Sequence, residues 1–306
     1  MTIIDSLTAG SMAASRKPVR WNRPLLFLTA AAAVLAVVSV GGILFDDRIL
    51  TGVPIWLKPF KFAVSFVLYA WTLAWMLAVL PRRSRPAEWS AVIIVGVAVG
   101  ELAIIVTQVL RGKASHYNVD TPFDELLWSL MGTSIMVLFF AQVAIGVVTL
   151  RQRIPNRAAA FAIRLGLGIS LLGMGLAFLM TAQVTDTGLI GAHSVGVADG
   201  GPSMPVTGWS TTGGDLRIGH FVGLHALQAI PLLAFALGRW TRLAEVVRAR
   251  LVLIGGSAYA VIVLLLTWQA LRAQPLLKPD ALTLAAFAAV AAVTAVASVA
   301  AVRSRP

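Results

Sequence analysis

The sequence predicts an all-α fold, a polytopic integral membrane helix bundle of about eight transmembrane helices, and three observations predict it. Of 306 residues, 58% are apolar and 12% charged, too few charges to coat a soluble globule of this size. Apolar runs near the roughly 20 residues that cross a bilayer as helix recur eight times. The basic residues, finally, gather on alternate connections: of the 25, seventeen fall on the side that holds both termini and eight on the other. By the positive-inside rule both termini are cytoplasmic, as in a bacterial-type inner (plasma) membrane protein. The net charge of +12 is then a topology signal and an attraction to anionic lipid, and nucleic acid is not an expected partner.

The first span, 24–45, follows a basic cytoplasmic tail, 1–23. Its apolar core is longer than that of a cleaved leader, and it ends in "VSVGGILFDD" without a small-x-small cleavage site, so it is expected to stay as an anchor. Span two, 61–80, opens in "PIWLKPFKF", where Lys58 and Lys61 stand three apart on one face with Pro59 in the first turn. Those lysines suit a lipid phosphate or an anionic substrate, or plain interfacial anchoring beside Trp56. Span three, 89–110, carries Glu101, and 126–150 is the fourth. The fifth, 158–182, leads into the one long connection. That segment, 184–218, contains "GGPSMPVTGWSTTGG" and is a candidate extracytoplasmic lid, with simple flexibility as the alternative. Spans six to eight are 219–237, 251–271 and 281–302, before a short tail, 303–306. Residues 24–302 are read as a single eight-helix transmembrane domain.

A weak 4+4 parallel repeat is also legible. Gln108/Arg111 and Gln269/Arg272 share the spacing Q-x-x-R at the ends of spans three and seven, and "KFAVSF" opening span two resembles "HFVGLH" opening span six. An even number of helices per half makes two such halves parallel.

Chemistry is sought where polar atoms enter oil. Glu101 lies nine residues before the outer end of its span, roughly 13 Å deep at 1.5 Å per residue. A carboxylate there faces the bundle interior or a water-filled cavity, serving function or acting as interhelical glue. His225 lies at a similar depth, roughly 10 Å. Each neighbours a GxxxG pair, Gly96/Gly100 and Gly219/Gly223, so a Glu101–His225 pair is expected, with His220 nearer the interface. Together with Gln108, Arg111, His116, Asp215 and Arg217 they make the candidate site, Glu101, His220 and His225 catalytic and the rest ligand-binding.

All four histidines, His116, His193, His220 and His225, fall on the far side or in the outer half, which suits a metal ion or a b-type haem. His220 and His225 are five apart, so one ion is not easily held by both. With no cysteine, thiolate metal sites, iron–sulfur clusters and covalent haem attachment are excluded. Neither a Walker A motif nor a dinucleotide fingerprint is present, and "GWS" lacks the elbow of a catalytic serine. The expectation is therefore a His/Glu-lined site in the extracytoplasmic half that binds a cofactor or a lipophilic small molecule for acid–base or redox chemistry. A proton-coupled transporter and a non-catalytic assembly or sensor subunit are the rival readings.

Overall fold

The computed structural model describes residues 20–50, 52–183, 191–239 and 243–304. Among them are eight helices long and apolar enough to cross a membrane: α1 Arg23–Phe45, α2 Leu57–Val79, α3 Arg85–Leu110, α4 Pro122–Arg151, α5 Arg157–Thr181, α6 Leu216–Arg239, α7 Glu245–Leu271 and α8 Ala281–Arg303. Several begin three to six residues ahead of the apolar run expected from the sequence. Helical hydrogen bonding does not require apolar side chains, whereas α1, α5 and α8 start within a residue of the expected run, each on a side-chain cap. The Asn22 side chain accepts from Leu25 N at 3.0 Å to start α1, and Asn156 accepts from Ala159 N at 2.9 Å to start α5. Asp280 does the same for α8, accepting from Thr283 N at 2.8 Å. Each side chain takes one of the orphan donors of a helix start.

Where hydropathy groups 24–302 as one domain, packing divides the chain into two compact units, the first ending at Gln152 and the second beginning at Arg153. In the first, α1 packs on α2 and α3, and α3 also on α4. In the second, α5 packs on α6 and α7, α6 on α7, and α7 on α8. Each unit places a two-stranded antiparallel ribbon between its first two helices: β1 Ile49–Leu50 with β2 Val53–Pro54, and β3 Ser194–Val195 with β4 Gly214–Asp215.

The second unit has its core around Ala162, Ile169, Ala226, Ile230, Val252 and Val263. Backbones meet there. A Cβ on Gly173 of α5 would lie 2.5 Å from Leu224 N, and one on Gly223 of α6 would lie 2.6 Å from Gly173 Cα. Gly219, one turn earlier, is pressed against the Thr267 side chain of α7. The α6 glycines thus serve α5 and α7. Gly96 and Gly100 of α3 have nothing within 4 Å of where a Cβ would stand. The GxxxG spacing marks a small face without saying which helix, if any, fills it.

Candidate polar site in the first unit

At one end of the first unit α1 finishes, α2 begins, α3 finishes and α4 begins, and three contacts knit these ends. Arg48, just before β1, donates through Nη1 to the Val109 carbonyl at 3.1 Å, at the end of α3. Its guanidinium also grips Asp46 at 2.7 Å, and this contact, with Trp56 Nε1 donating at 2.7 Å, holds the Asp46 carboxyl well below the usual carboxylate range. Arg111 and Gln108 reach Asp124 in the first turn of α4, with Gln108 Nε2 donating at 2.8 Å and Arg111 Nη1 at 2.5 Å. Thr121 Oγ1 donates to the other oxygen at 2.7 Å. Asp124 is wholly buried, and these three donors satisfy it.

Beneath this end stands Glu101, 3% exposed, accepting from Ser134 Oγ of α4 at 2.5 Å. Lys58, in the first turn of α2, lies within electrostatic reach of both Glu101 and Lys61. Its Nζ is 3.1 Å from His116 Nδ1. An ammonium only donates, so His116 accepts at Nδ1 and, as a neutral ring, keeps its proton on Nε2. Phe62 and Trp128 flank the imidazole at 5.7 and 5.4 Å between ring centres, and Tyr117 stacks on Trp128 at 4.7 Å. Tyr117 holds φ +53°, a left-handed conformation uncommon for a bulky residue. Glu101, Lys58, Lys61 and His116 are thus brought into one neighbourhood, while Gln108 and Arg111 serve the joint between α3 and α4. Sequence reasoning missed Ser134, Asp124, Phe62 and Trp128. Asp124 had a local signal, three residues after Thr121 as in a capping turn; Ser134 is 33 residues from its partner and had none.

The other candidates belong to the second unit. Asp215, wholly buried, accepts from Ser210 N at 2.8 Å and from Arg217 Nη2 at 2.6 Å, while Arg217 also donates to the Gly208 carbonyl. His193 and Ser194 donate their backbone N–H groups to Asp199, and the His193 ring stands 3.1 Å from the same carboxylate. Burial pushes Asp199 upward, but the His193 and Ser194 hydrogen bonds prevail and hold it below the carboxylate range. These residues knit the described part of the long loop to itself; residues 184–190 lie outside the described residues. His220 Nδ1 donates to the Gly173 carbonyl at 2.7 Å, fixing α6 to α5, and His225 is exposed. Glu101 belongs to the first unit and His225 to the second. Equal depth specifies one coordinate of a side chain and leaves rotation about the helix free. Among the described residues no group of three or more His, Asp or Glu stands close enough to hold a metal ion.

The ends of α3 and α7 are built alike. Arg111 N bonds Thr107 O, Gly112 N bonds Val109 O and Lys113 N bonds Gln108 O; in α7 the same three bonds run from Arg272 to Trp268, Ala273 to Ala270 and Gln274 to Gln269. Both corners turn through a left-handed residue, Gly112 at φ +71° and Ala273 at φ +56°. Each arginine grips the start of the next helix, Arg111 at Asp124 and Arg272 at Asp280, the latter at 2.6 Å. At the opposite ends, Asn22 Nδ2 donates to Glu88 of α3 at 2.9 Å, and Arg157 N donates to Glu245 of α7 at 3.2 Å. The sequence echoes this, with Asn-Arg opening α1 and α5 and Arg-x-Ala-Glu around the starts of α3 and α7.

Comparison with protein-family models, with curated proteins and with solved structures finds no match.

Proposed function

We propose that this is a multi-pass inner-membrane protein whose first unit carries an acid–base site, formed by Glu101, Ser134, Lys58 and His116 on the membrane face away from the cytoplasmic termini. The site acts on a lipophilic molecule reaching it from the bilayer. Glu101 is the proton-carrying group, Ser134 orients it, and the Lys58–His116 pair leads from it toward the surface. Carboxyl groups at membrane depth are costly and commonly mark proton relays or ligand sites.

One observation carries this reading. Taking the two units as a parallel 4+4 repeat, aligned on their matching helix ends, Ile262 stands where the first unit has Glu101 and Val293 where it has Ser134. The same corner, ribbon and helix pairing are therefore built without a polar pair in the second unit. A carboxyl that costs several kcal/mol in hydrocarbon and that the scaffold does not require is kept for chemistry. Lys58 and Lys61 align with Arg217 and His220, which are engaged with Asp215 and the Gly173 carbonyl.

The test is infrared difference spectroscopy on the protein in lipid nanodiscs across a pH titration, with Glu101→Gln identifying the band. A carboxyl C=O band that appears and disappears with pH and responds to lipophilic extract of the native membrane supports an acid–base group. A Glu101 band fixed in one protonation state throughout, and indifferent to extract, makes the residue structural glue.

A further inference from the structure

A polar pair in the second unit stands on the open face of α6. Counting round that helix, Gly219, Gly223, Ala226 and Ile230 form the buried side, which Gly173 of α5 and Thr267 of α7 meet. His225, Gln228 and Leu232, at steps of three and four residues, lie on the opposite side. Leu232 is 64% exposed, and His225 is exposed as well. His225 lies roughly 10 Å below the outer boundary and Gln228 roughly 15 Å, at the depth of hydrocarbon. Gln228 Oε1 is shut off from solvent, and among the described residues nothing donates to it. An amide left that way in a bilayer is costly, and glutamine and histidine in membrane helices characteristically bond across to another helix. Taking the two units as a repeat, with Arg217 on Lys58, Gln228 stands where the first unit has Tyr69, whose hydroxyl donates to Gln142 of α4 at 2.7 Å. The counterpart of Gln142 in α8, on the alignment that sets Val293 on Ser134, is Ala301. The first unit thus satisfies this position from within, and the second has no matching side chain.

From this we infer that a second copy of this chain packs against the His225–Gln228–Leu232 face of α6, the two Gln228 amides exchanging hydrogen bonds across a twofold axis along the membrane normal. Copies inserted the same way present parallel α6 helices, so such an axis sets each residue opposite its own counterpart at the same depth. Only a group that both donates and accepts can bond to its own copy. A primary amide and a neutral imidazole do so; a carboxylate or an ammonium does not. The terminal torsion of glutamine is broad, so Gln228 can turn its amide to the open side. Alternating steps of three and four residues are also the spacing by which parallel helices interlock. The inference rests on the membrane reading and makes no use of Glu101.

The experiment is disulfide cross-linking of the full-length protein in native membranes, and the chain has no cysteine of its own. Leu232→Cys, oxidised with copper phenanthroline, should give a reducible species of twice the mass of the chain. Its yield should far exceed that of Val296→Cys, a 71% exposed position of α8. At expression low enough that most of the chain stays uncross-linked, adding Gln228→Leu to Leu232→Cys should lower the yield about threefold, the equal of about 0.6 kcal/mol for an interhelical hydrogen bond in a membrane. His225→Leu should act in the same direction, and circular dichroism checks that both variants are folded. A yield at Leu232→Cys no higher than at Val296→Cys overturns the proposal, as does an unchanged yield in folded Gln228→Leu and His225→Leu. A cross-linked species of any other mass gives the face to a different helix and overturns the second copy. Glu101→Gln combined with Leu232→Cys should cross-link as Leu232→Cys alone does, so failure of the acid–base reading and failure of this one give different results.

Discussion

Replacing Gly173 by Ala tests the closest backbone approach in the second unit. The added methyl carbon would stand 2.5 Å from Leu224 N and 2.6 Å from Gly223 C. Both obstacles are main-chain atoms, so no side chain can rotate away, and α5 and α6 must part. Overpacking of this kind costs about 1–3 kcal/mol. Gly175, two residues on in the same helix, has nothing within 4 Å of its would-be Cβ, so Gly175→Ala supplies the control. There the substitution brings only the better helix propensity of alanine, up to about 1 kcal/mol in its favour. The two variants should therefore differ by roughly 1–4 kcal/mol, Gly173→Ala being the weaker. Reversible unfolding in mixed micelles, followed by far-ultraviolet circular dichroism, measures the difference. Because Gly223 meets the same contact from α6, Gly173→Ala and Gly223→Ala together should cost less than their sum. Equal stability of Gly173→Ala and Gly175→Ala would refute the close approach and, with it, the assignment of the α6 glycines to α5.

Four further outcomes are expected. Ser134→Val alone leaves the buried Glu101 without its hydroxyl donor and should destabilise by about 1–3 kcal/mol, whereas Glu101→Ile with Ser134→Val copies the second unit and should restore the melting temperature while abolishing the pH-sensitive carboxyl band. Arg111→Met strands the wholly buried Asp124 and should cost about 3–5 kcal/mol, but Arg272→Met, whose partner Asp280 is 43% exposed, should cost at most about 1 kcal/mol, as compared in the same unfolding assay. The Arg272 hydrogen bond, followed by those from Thr283, holds the Asp280 carboxyl below its ordinary value of 3.8, so its contribution to stability is present above that value and lost as pH falls through the lower folded one; Asp280→Asn should flatten the acid limb of the stability curve below about pH 4. A reporter fused after Pro306 should read cytoplasm and one inserted near Gly200 the opposite compartment, reversed signals overturning the assigned face.

The eight helices were legible because a bilayer demands long apolar runs, and those runs fall on α1 to α8, overshooting only α2 and α5, by one residue each. Their polar first turns were harder to see, since Asn22, Thr121 and Asp280 act through capping geometry and not through hydropathy. Glu101, Lys58 and His116 stood out as polar residues in or beside oil, and the structure gathers them. Ser134 did not, because a serine is cheap in a membrane helix and only tertiary contact gives it a role. The depth of His225 was readable, but its direction depends on which helices flank α6, and those are chosen by Gly219 and Gly223 against Thr267 and Gly173. The Q-x-x-R pairs marked two helix ends that turn out to share the same corner bonds, an agreement that spacing alone suggested only faintly.

Ala273, in the left-handed corner between α7 and α8, presses its methyl group into the notch left by Gly196, where a Cβ would lie 2.5 Å away. Nearby, Gly214 lies directly against the Ala270 carbonyl. An alanine in that conformation carries roughly 1–2 kcal/mol of backbone strain, which the seat must hold in place. The corner is therefore a latch as well as a turn. The described part of the long loop is thereby seated on the α7–α8 corner, and a side chain at Gly196 would occupy the place that the Ala273 methyl group fills.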